Sequence, residues 1–532
     1  MPLAASPYPS AIGCTSGDCR AGELSMAGGS ADTFKKMVAF FPFYDKVTPD
    51  NIIFNDLTTH EILSGGDMFR FALEYLKTWK SKPTRKPLVI RGARQVGKTY
   101  LVRMFARKYF DQLVEINFEQ DPEIASLFTS KDPRKIVQLL ELQYNISIQP
   151  GAALLFLDEI QAMPELLVSL RYFYEQLPKL HVIAAGSLLE LVLEEPSFSM
   201  PVGRIEYLHL GPMQLEEFLL AAGKDRLVTF LNEFSLGDSI PEPLHNRLMD
   251  LLRIFLVTGG MPEAVSVYIN NNSWQECESI KHSVLATFQD DFNKYGKRVK
   301  HQRLQLLFKK IPLLVSSKFK YVNVDRNERS GDLAKALNLL FHARVASPVY
   351  HSSCSGIPLG ATIHPKKFKV LFLDMGLMST ATGLNLLDYE KAGDVMRINA
   401  GAISEQFIGQ HLLFSRHLYC EPEVFYWIRE KKNSSAEIDY VISEGTLIIP
   451  VEIKAGKSGT LKSLHLFLRE KHRSFGVRFD SDFPSVLESQ TALAAGPNIP
   501  YRLLSLPLYM VGQARRLIRQ SNATQPKYKH LN

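Results

Sequence analysis

Residues 92–99 read Gly-Ala-Arg-Gln-Val-Gly-Lys-Thr, and the expected architecture of the amino-terminal part of the chain follows from this motif. It fits the pattern G-x-x-x-x-G-K-[ST] at every fixed position, with an apolar, strand-like run before it and a helix-like run after it. Its two glycines let the backbone turn tightly and point N–H groups at phosphate oxygens. The stretch therefore predicts a phosphate-binding loop for ATP, formed by Gly92, Ala93, Arg94, Gln95, Val96, Gly97, Lys98, Thr99 and Tyr100.

Polar residues farther along the chain complete the predicted nucleotide site. An apolar run ends in Asp158 and Glu159. We expect Thr99 and Asp158 to hold Mg²⁺ and Glu159 to activate the attacking water as general base, while Lys98 reaches the β and γ phosphates. The residue after the next strand-like run, Ser187, either positions water near the γ phosphate or caps a helix.

Two wider patterns frame this site. Strand-like and helix-like runs alternate from residue 67 to residue 185, which predicts a parallel sheet covered by helices on both faces. Arg204 is a candidate for stabilising the transferred phosphoryl group, and a plain surface arginine is the competing interpretation.

A second group of candidate site residues lies near the carboxyl end. The sequence EIDYVISEGTLIIPVEIK, which ends at Lys454, reads as two strands that carry Asp439 and Glu452, and Glu405 lies on the preceding helix-like run. This set resembles the core of PD-(D/E)xK nucleases, in which carboxylates hold Mg²⁺ and the lysine helps to activate water. The competing interpretation is a pair of solvated charges on an edge strand, a position that Pro450 favours.

The motifs RGARQVGKT, FLDEIQ and AAGS, with the Gly-Arg pair at 203–204, together resemble an AAA-like ATPase family of archaea and bacteria whose carboxy-terminal region has no clear function. The resemblance covers roughly residues 66–455 and includes the segments Gly259–Pro262 and Leu373–Leu377. It implies ATP binding, ATP hydrolysis and a catalytic site built between the subunits of a homo-oligomer. It fixes no substrate.

Two features, one a resemblance in fold and the other a run of basic residues, point to nucleic acid without establishing it. Residues 329–350 resemble the second helix and wing strand of a winged-helix module, for which DNA binding is expected by fold analogy alone. Residues 294–303 hold five Lys and Arg and no acid, and they either contact phosphates or form a solvated helix face.

Composition sets the outer limits of the prediction. The chain has 532 residues, 62 Lys and Arg against 55 Asp and Glu, and a formal net charge of +7, so it is long enough for several domains and only weakly basic. Its five cysteines are scattered, which favours a reducing compartment over a disulfide scaffold. Without a bilayer-spanning apolar run or a signal peptide, we expect no membrane association and a cytoplasmic location.

Together these patterns predict an α/β protein with a P-loop NTPase parallel sheet, a helical lid, a winged-helix-like module and a smaller α/β nuclease-like domain. The expected function is Mg²⁺-dependent ATP hydrolysis that acts on DNA or a DNA-associated complex. The alternative is an ATP-gated switch that binds a protein partner and carries a catalytically inactive nuclease-like domain. The expected segments are a partly disordered leader (1–65), the AAA-like ATPase domain (66–215), the lid (216–300), the winged-helix-like module (301–390), and the nuclease-like domain with its tail (395–532).

Overall fold

The computed structural model describes most of the chain, from residue 68 to residue 523. The predicted leader lies outside the described residues apart from the backbone of Ile52 and Ile53, and so do residues 294–298 of the predicted basic run. Within the described parts, no helix is both long and apolar enough to cross a lipid bilayer. The described residues are 52–53, 68–193, 201, 203–292, 299–383, 400–430, 436–454, 461–493 and 497–523.

A parallel sheet organises the amino-terminal part. Its six strands follow the order β1-β3-β4-β5-β2-β6, and every pairing is parallel. The central strands are apolar and fully buried, as expected for a parallel sheet with helices on both faces. The strands are β1 (Ile52–Ile53), β2 (Leu88–Arg91), β3 (Gln112–Asn117), β4 (Ala153–Asp158), β5 (His181–Gly186) and β6 (Glu206–His209).

Helices between these strands cover the sheet. The first of them buries Leu73, Leu76 and Trp79, the apolar face that helical spacing predicts. The run from Pro164 that predicts one helix begins instead as a 3₁₀ segment, Pro164–Val168, and becomes α-helical at Ser169. The helices are α1 (Ala72–Ser81), α2 (Lys98–Tyr109), α3 (Pro133–Tyr144), α4 (Ser169–Gln176) and α5 (Leu189–Leu193), with further 3₁₀ turns at Pro122–Phe128 and Ile160–Ala162.

The next part is helical, as the sequence predicts. Pro262 begins a helix two residues after Gly260, and Ser273 caps the following helix by accepting a hydrogen bond from the N–H of Glu276. The helices are α6 (Leu215–Ala221), α7 (Asp225–Glu233), α8 (Glu242–Thr258), α9 (Pro262–Asn271) and α10 (Trp274–Asp291).

Three helices and an antiparallel hairpin follow, which is the element order of a winged helix. The hairpin does not stand alone, because its first strand pairs in parallel with a strand of the carboxy-terminal sheet, Tyr350 opposite Phe425 and His351 opposite Tyr426. The elements are α11 (His301–Leu314), α12 (Tyr321–Val324), α13 (Ser330–His342), β7 (Ala346–Ser352), β8 (Ile363–Phe372) and α14 (Met375–Ala381).

The carboxy-terminal sheet is mixed and has eight strands in the order β13-β14-β12-β11-β10-β9-β7-β8. The expectation that Pro450 marks an edge strand is wrong, because its strand, β11, lies between β10 and β12. Pairing with β12 begins only at Val451, so the missing N–H of the proline breaks no bond to that strand. The remaining elements are α15 (Ala400–Leu413), β9 (Phe425–Ile428), β10 (Glu437–Glu444), β11 (Leu447–Ile453), α16 (Lys462–Glu470), β12 (Phe475–Asp480), β13 (Ser485–Gln490), β14 (Pro500–Pro507) and α17 (Ala514–Ala523).

The α/β fold class predicted from the sequence is confirmed: a parallel sheet typical of P-loop NTPases is joined by a second, mixed sheet.

Candidate functional site

The predicted phosphate loop connects the end of β2 to the start of α2, at the edge where the parallel strands end. Arg91 pairs with Gly186 on one side and His209 on the other, so the loop lies between two strand ends. A Cβ atom on Gly92 would overlap the carbonyl oxygen of Leu210. Gly97 has φ 87°, a left-handed conformation that favours glycine, and it directly precedes α2. Both fixed glycines of the motif are thus required by local geometry.

Lys98 is the most buried charged group of the loop. Its Nζ donates to the carbonyl oxygens of Gly92 and Ala93 at 3.1 and 2.8 Å, so the ammonium lies across the concave side of its own loop. Burial lowers the pKa of Lys98 to about 8, although the nearby carboxylates of Glu159 and Asp158 oppose the shift. An anionic ligand in the loop would favour the charged ammonium.

Thr99 and Asp158, the two predicted Mg²⁺ ligands, are in contact. The threonine hydroxyl donates to Oδ2 of Asp158 at 2.8 Å, and Oδ1 of Asp158 accepts from the N–H of Glu159 at 3.0 Å. Burial, together with the charge of Glu159, raises the pKa of Asp158 to about 6. A hydroxyl and a buried carboxylate are hard oxygen donors that need a cation, so these two residues fit Mg²⁺.

Glu159 and Ser187 lie beside this pair at neighbouring strand ends. Glu159 has φ 50°, and its Oε2 accepts from the side-chain amide of Gln161. A Cβ on Gly186 would overlap Oε1 of Gln161, so the glycine makes room for that amide. The buried hydroxyl of Ser187 accepts from Nε of Arg94 at 3.4 Å. The sequence pattern does not mark Gln161 as a site residue, although Gln161 belongs to the FLDEIQ motif.

The loop also contacts the helical segment that follows the first sheet. The guanidinium of Arg94 pairs with Asp291 at 2.9 Å and with Glu119 at 3.5 Å. Asp291 ends α10, so the last helix of the predicted lid reaches the nucleotide loop. Nothing in the sequence around Asp291 indicates this contact, which joins residues 197 positions apart.

Arg204 is the one predicted nucleotide-site residue that the structure keeps away from the others within one chain. It precedes β6, whereas the loop follows the opposite ends of the strands. Its half-exposed guanidinium pairs with Glu175 at 2.8 Å. A role in phosphoryl transfer would therefore require a second copy of the chain.

A buried arginine that the sequence does not mark supports the loop from the protein side. Arg70 is 3% exposed, and it donates to the carbonyl oxygens of Val96 at 2.8 Å and Gly211 at 2.7 Å. Its Nε also pairs with Glu217 at 3.2 Å. The loop backbone is thus tied to the segment that follows β6.

The segments Gly259–Pro262 and Leu373–Leu377 fold against each other, and we name them together the clasp. The N–H of Gly260 donates to Oδ2 of Asp374 at 2.7 Å, and the N–H of Leu377 donates to its Oδ1 at 3.0 Å. Burial raises the pKa of Asp374. Because the Pro262 ring lies 3.3 Å from where a Cβ of Gly97 would be, the clasp also touches the phosphate loop.

The carboxy-terminal candidates lie together around the first half of β10 and the end of β11. Oδ2 of Asp439 accepts from the N–H of Ile453 at 2.8 Å, and Nζ of Lys454 lies 2.5 Å from Oε1 of Glu452. Burial, with the neighbouring charge of Asp439 adding to it, raises the pKa of Glu452 to about 7. For Glu405, on α15, burial raises the pKa to about 8, against the opposing effect of a nearby lysine.

That lysine is Lys369 of β8, and no local sequence pattern marks it as a site residue. It is 2% exposed, and its Nζ lies 3.2 Å from Oε2 of Glu405 and 2.6 Å from Oε1 of Glu437. Although burial alone would lower it, the carboxylates of Glu405, Glu437 and Asp439 hold the pKa of Lys369 above its ordinary value. We name Lys369, Glu405, Glu437, Asp439, Glu452 and Lys454 the carboxylate cluster.

The carboxylate cluster does not fit the metal site that its nuclease-like arrangement implies. Its three glutamates are already paired with lysines, so a divalent ion would have to displace a buried ammonium. A metal site needs at least three ligand atoms close together. Among the described residues, three such atoms of His, Cys, Asp or Glu lie within 4.8 Å of one another only at His351, His364 and Glu430, which are outside the carboxylate cluster. At that place Nζ of Lys367 lies 2.6 Å from the Glu430 carboxylate.

Comparison with protein families assigns the nucleotide site to a known class. Residues 84–219 match a family described as an AAA domain. Residues 249–388 and 400–483 match two families described only as domains of unknown function, DUF8612 and DUF4143. No curated protein matches the chain significantly. The AAA match supports an ATP-binding ATPase of the P-loop type.

Solved structures give a looser likeness. The Walker-type ATPase paby2304 of Pyrococcus abyssi is 15% identical over 59% of this chain and 96% of that chain, with a TM-score of 0.37. The ORC2 protein of Aeropyrum pernix is 12% identical over 60% of this chain and 93% of that chain, with a TM-score of 0.28. A STAND protein with a tetratricopeptide repeat sensor, from Pyrococcus horikoshii, is 11% identical over 65% of this chain and 46% of that chain, with a TM-score of 0.25.

Proposed function

We propose that the protein hydrolyses ATP with Mg²⁺ at the loop of residues 92–99. The observation that carries the proposal is the 2.8 Å hydrogen bond between Thr99 and Asp158, beside the buried ammonium of Lys98. Three groups that phosphoryl transfer requires therefore lie together at the carboxyl-terminal edge of the sheet, after β2 and at the end of β4.

Each residue has a definite task in this proposal. Lys98 and the loop N–H groups bind the β and γ phosphates, and Thr99 and Asp158 hold Mg²⁺, which offsets phosphate charge. Glu159 takes a proton from water while the water oxygen attacks the γ phosphorus. The bond between the γ phosphorus and the oxygen that bridges it to ADP then breaks. Gln161 holds the Glu159 carboxylate in place, and Ser187 with Arg94 forms the side of the site toward β5.

Two substitutions test the ATPase. Lys98→Ala should abolish nucleotide binding, whereas Glu159→Gln should bind ATP normally and lose turnover by about 10²- to 10⁴-fold, because only proton transfer is removed. Fluorescent-nucleotide titration and phosphate release measure the two effects. The exposed Glu165 provides the control Glu165→Gln, which should behave as wild type. Undiminished turnover in Lys98→Ala would refute the assignment.

DNA, or a DNA-associated complex, is the partner we propose for this ATPase. Residues 299–383 carry thirteen Lys and Arg and four Asp and Glu, a net charge of +9 that exceeds the +7 of the whole chain. Within this fully described segment no acid is exposed, whereas Arg326, Arg329 and Lys335 are. Lys335 lies on α13, which follows α12 as the second helix of a helix pair. In helix-turn-helix proteins the second helix is the one that enters the major groove. ATP turnover with and without duplex DNA tests the coupling.

The alternative, an ATP-gated switch that binds a protein partner, draws on a different observation. The clasp contacts the nucleotide loop through Pro262 and α15 through the hydrogen bond from Gln410 to Asp374. In the carboxylate cluster, the three glutamates are paired with lysines. In this alternative the second sheet transmits a conformational change and cuts nothing. A homo-oligomer is needed only if Arg204 acts on a neighbouring copy of the chain. We expect the protein in the cytoplasm, whether or not it forms an oligomer, since Cys277 and Cys354 are buried free thiols.

A further inference from the structure

We propose that Lys369 is the resident cation of the carboxylate cluster and takes the place of the divalent metal that a nuclease-like arrangement implies. The proposal concerns the second sheet, so it does not depend on ATP hydrolysis at the first. It makes the carboxylate cluster a lock between two parts of the chain and not a centre for cutting phosphodiesters.

The position of the ammonium carries the inference. Nζ of Lys369 lies 2.6 Å from Glu437 and 3.2 Å from Glu405, and the side chain is 2% exposed. Distances of this kind are those of charge-assisted hydrogen bonds. Glu405 is the helix glutamate that the nuclease-like arrangement would use as a metal ligand. A divalent ion on that carboxylate would lie next to a buried ammonium of like charge, in a medium that screens poorly.

The other candidate ligands are engaged as well. Oε1 of Glu452 pairs with Lys454, and Oδ2 of Asp439 accepts from the N–H of Ile453. Among the described residues, Oε2 of Glu452 is the one carboxylate oxygen of the cluster that is buried without a hydrogen-bond partner. A single fully buried oxygen without a partner is too little for Mg²⁺, which demands octahedral coordination.

The lysine and the acids come from different parts of the chain. Lys369 belongs to β8, within residues 249–388 that match one domain family, whereas the acids lie within residues 400–483 that match another. The Lys369 ammonium also lies 5.5 Å from the ring of Tyr426 on β9, which adds a cation–π contact. The ion pairs therefore fasten the edge hairpin to α15 and β10, since breaking a buried pair leaves an uncompensated charge.

Manganese binding tests the proposal in the full-length protein without nucleotide. By electron paramagnetic resonance titration, we expect Lys369→Met to gain one Mn²⁺ site per chain relative to wild type, and the double variant Lys369→Met/Glu405→Gln to lose it again. Lys366→Met, which changes an exposed lysine of the same strand, should match wild type. A folded Lys369→Met protein that gains no Mn²⁺ site would overturn the proposal.

A second comparison decides the matter even where Lys369→Met fails to fold. Wild type and Glu452→Gln should bind the same number of Mn²⁺ ions, and wild type should leave supercoiled plasmid intact in Mg²⁺ or Mn²⁺. A Mn²⁺ site, or a cleavage activity, that is present in wild type and absent in Glu452→Gln would show that the cluster holds a metal after all.

Discussion

The ionisable residues of the nucleotide site are buried before any ligand binds. Asp158 is 3% exposed and Lys98 is 7% exposed. Burial raises the pKa of the first to about 6 and lowers that of the second to about 8, so in both residues the charged form is disfavoured. Burying these charged groups before a phosphate and a cation are bound therefore lowers the free energy of unfolding of the ligand-free protein.

Asp158→Asn should stabilise the empty protein at neutral pH while abolishing ATP hydrolysis. The pKa of Asp158 rises from 3.8 to about 6 on folding, so the folded chain binds this proton more tightly than the unfolded chain. The resulting stability is complete below pH about 4 and is lost as the pH rises to about 6, a difference of up to about 3 kcal/mol. At pH 7.5 the variant should exceed wild type by about 1 to 3 kcal/mol.

Urea unfolding from pH 4 to pH 8, without nucleotide or Mg²⁺, measures this effect. The difference between variant and wild type should shrink toward zero as the pH falls, because Asp158 is then protonated. The exposed Asp290 supplies the control Asp290→Asn, which should follow the wild-type curve. If the stability of Asp158→Asn and of wild type varied with pH in the same way, burial would not raise the pKa of Asp158.

Arg70→Ala should destabilise the protein by about 3 to 5 kcal/mol, because it leaves the buried carboxylate of Glu217 without its ion pair. The loop carbonyl of Val96 also loses its donor, so ATP affinity should fall as well. Urea unfolding and nucleotide titration measure the two effects. Lys77→Ala, which breaks an exposed pair with Glu74, should change stability by less than about 1 kcal/mol. Equal losses in the two variants would contradict a bracing role for Arg70.

The candidate site residues that the sequence marks are those that lie in a local motif. Lys98 and Thr99 belong to one contiguous motif, and Asp158 ends an apolar strand. The residues it conceals, such as Arg70 and Lys369, reach their partners across the fold. Their contacts depend on tertiary packing, which leaves no local pattern in a single chain.

At the level of elements, strand and helix identity is readable but strand pairing is not. The strand-like and helix-like runs between residues 67 and 185 correspond to observed strands and helices, since hydrophobic periodicity reflects which face is buried. The pairing of β7 with β9 joins the hairpin to the second sheet, and this is a long-range register that no local pattern sets. The position of Pro450 misleads for the same reason, because an edge is a property of the whole sheet.

The two segments of the clasp pack too closely to leave room for a Cβ atom at Gly376. A Cβ on Gly376 would overlap the carbonyl oxygen of Thr258 and lie 2.7 Å from the Cα of Gly259, so Gly376→Ala should cost about 1 to 3 kcal/mol of stability by overpacking. Gly401, also in a helix, has nothing within 4 Å of its Cβ position, so Gly401→Ala should be neutral or stabilising by up to about 1 kcal/mol. Thermal unfolding of the two variants compares them. Equal stability of the two variants would mean that the clasp backbone shifts to accommodate the added Cβ atom at no measurable cost.

Across the whole molecule, charge is distributed unevenly in a way that the net value hides. The segment of residues 299–383 carries +9, so the remainder of the chain is slightly acidic. The basic run at residues 294–303 overlaps this segment only at its end, and the surplus belongs chiefly to the winged-helix-like module. A surface of this kind favours phosphate backbones through release of condensed counterions.

Neutralising part of that surface should weaken DNA binding in a manner that salt reveals. The triple variant Arg326→Gln/Arg329→Gln/Lys335→Gln removes three exposed cations. If each contacts a phosphate, the slope of log affinity against log salt should shrink by about 3. Fluorescence anisotropy with labelled duplex DNA across a salt series measures it. Lys77→Gln/Lys131→Gln/Lys135→Gln removes the same charge from the exposed surface of the first domain and should leave the slope nearly unchanged. Equal slopes in the two triple variants would mean that the segment attracts DNA only through net charge, whereas no binding by wild type would favour the protein-partner switch.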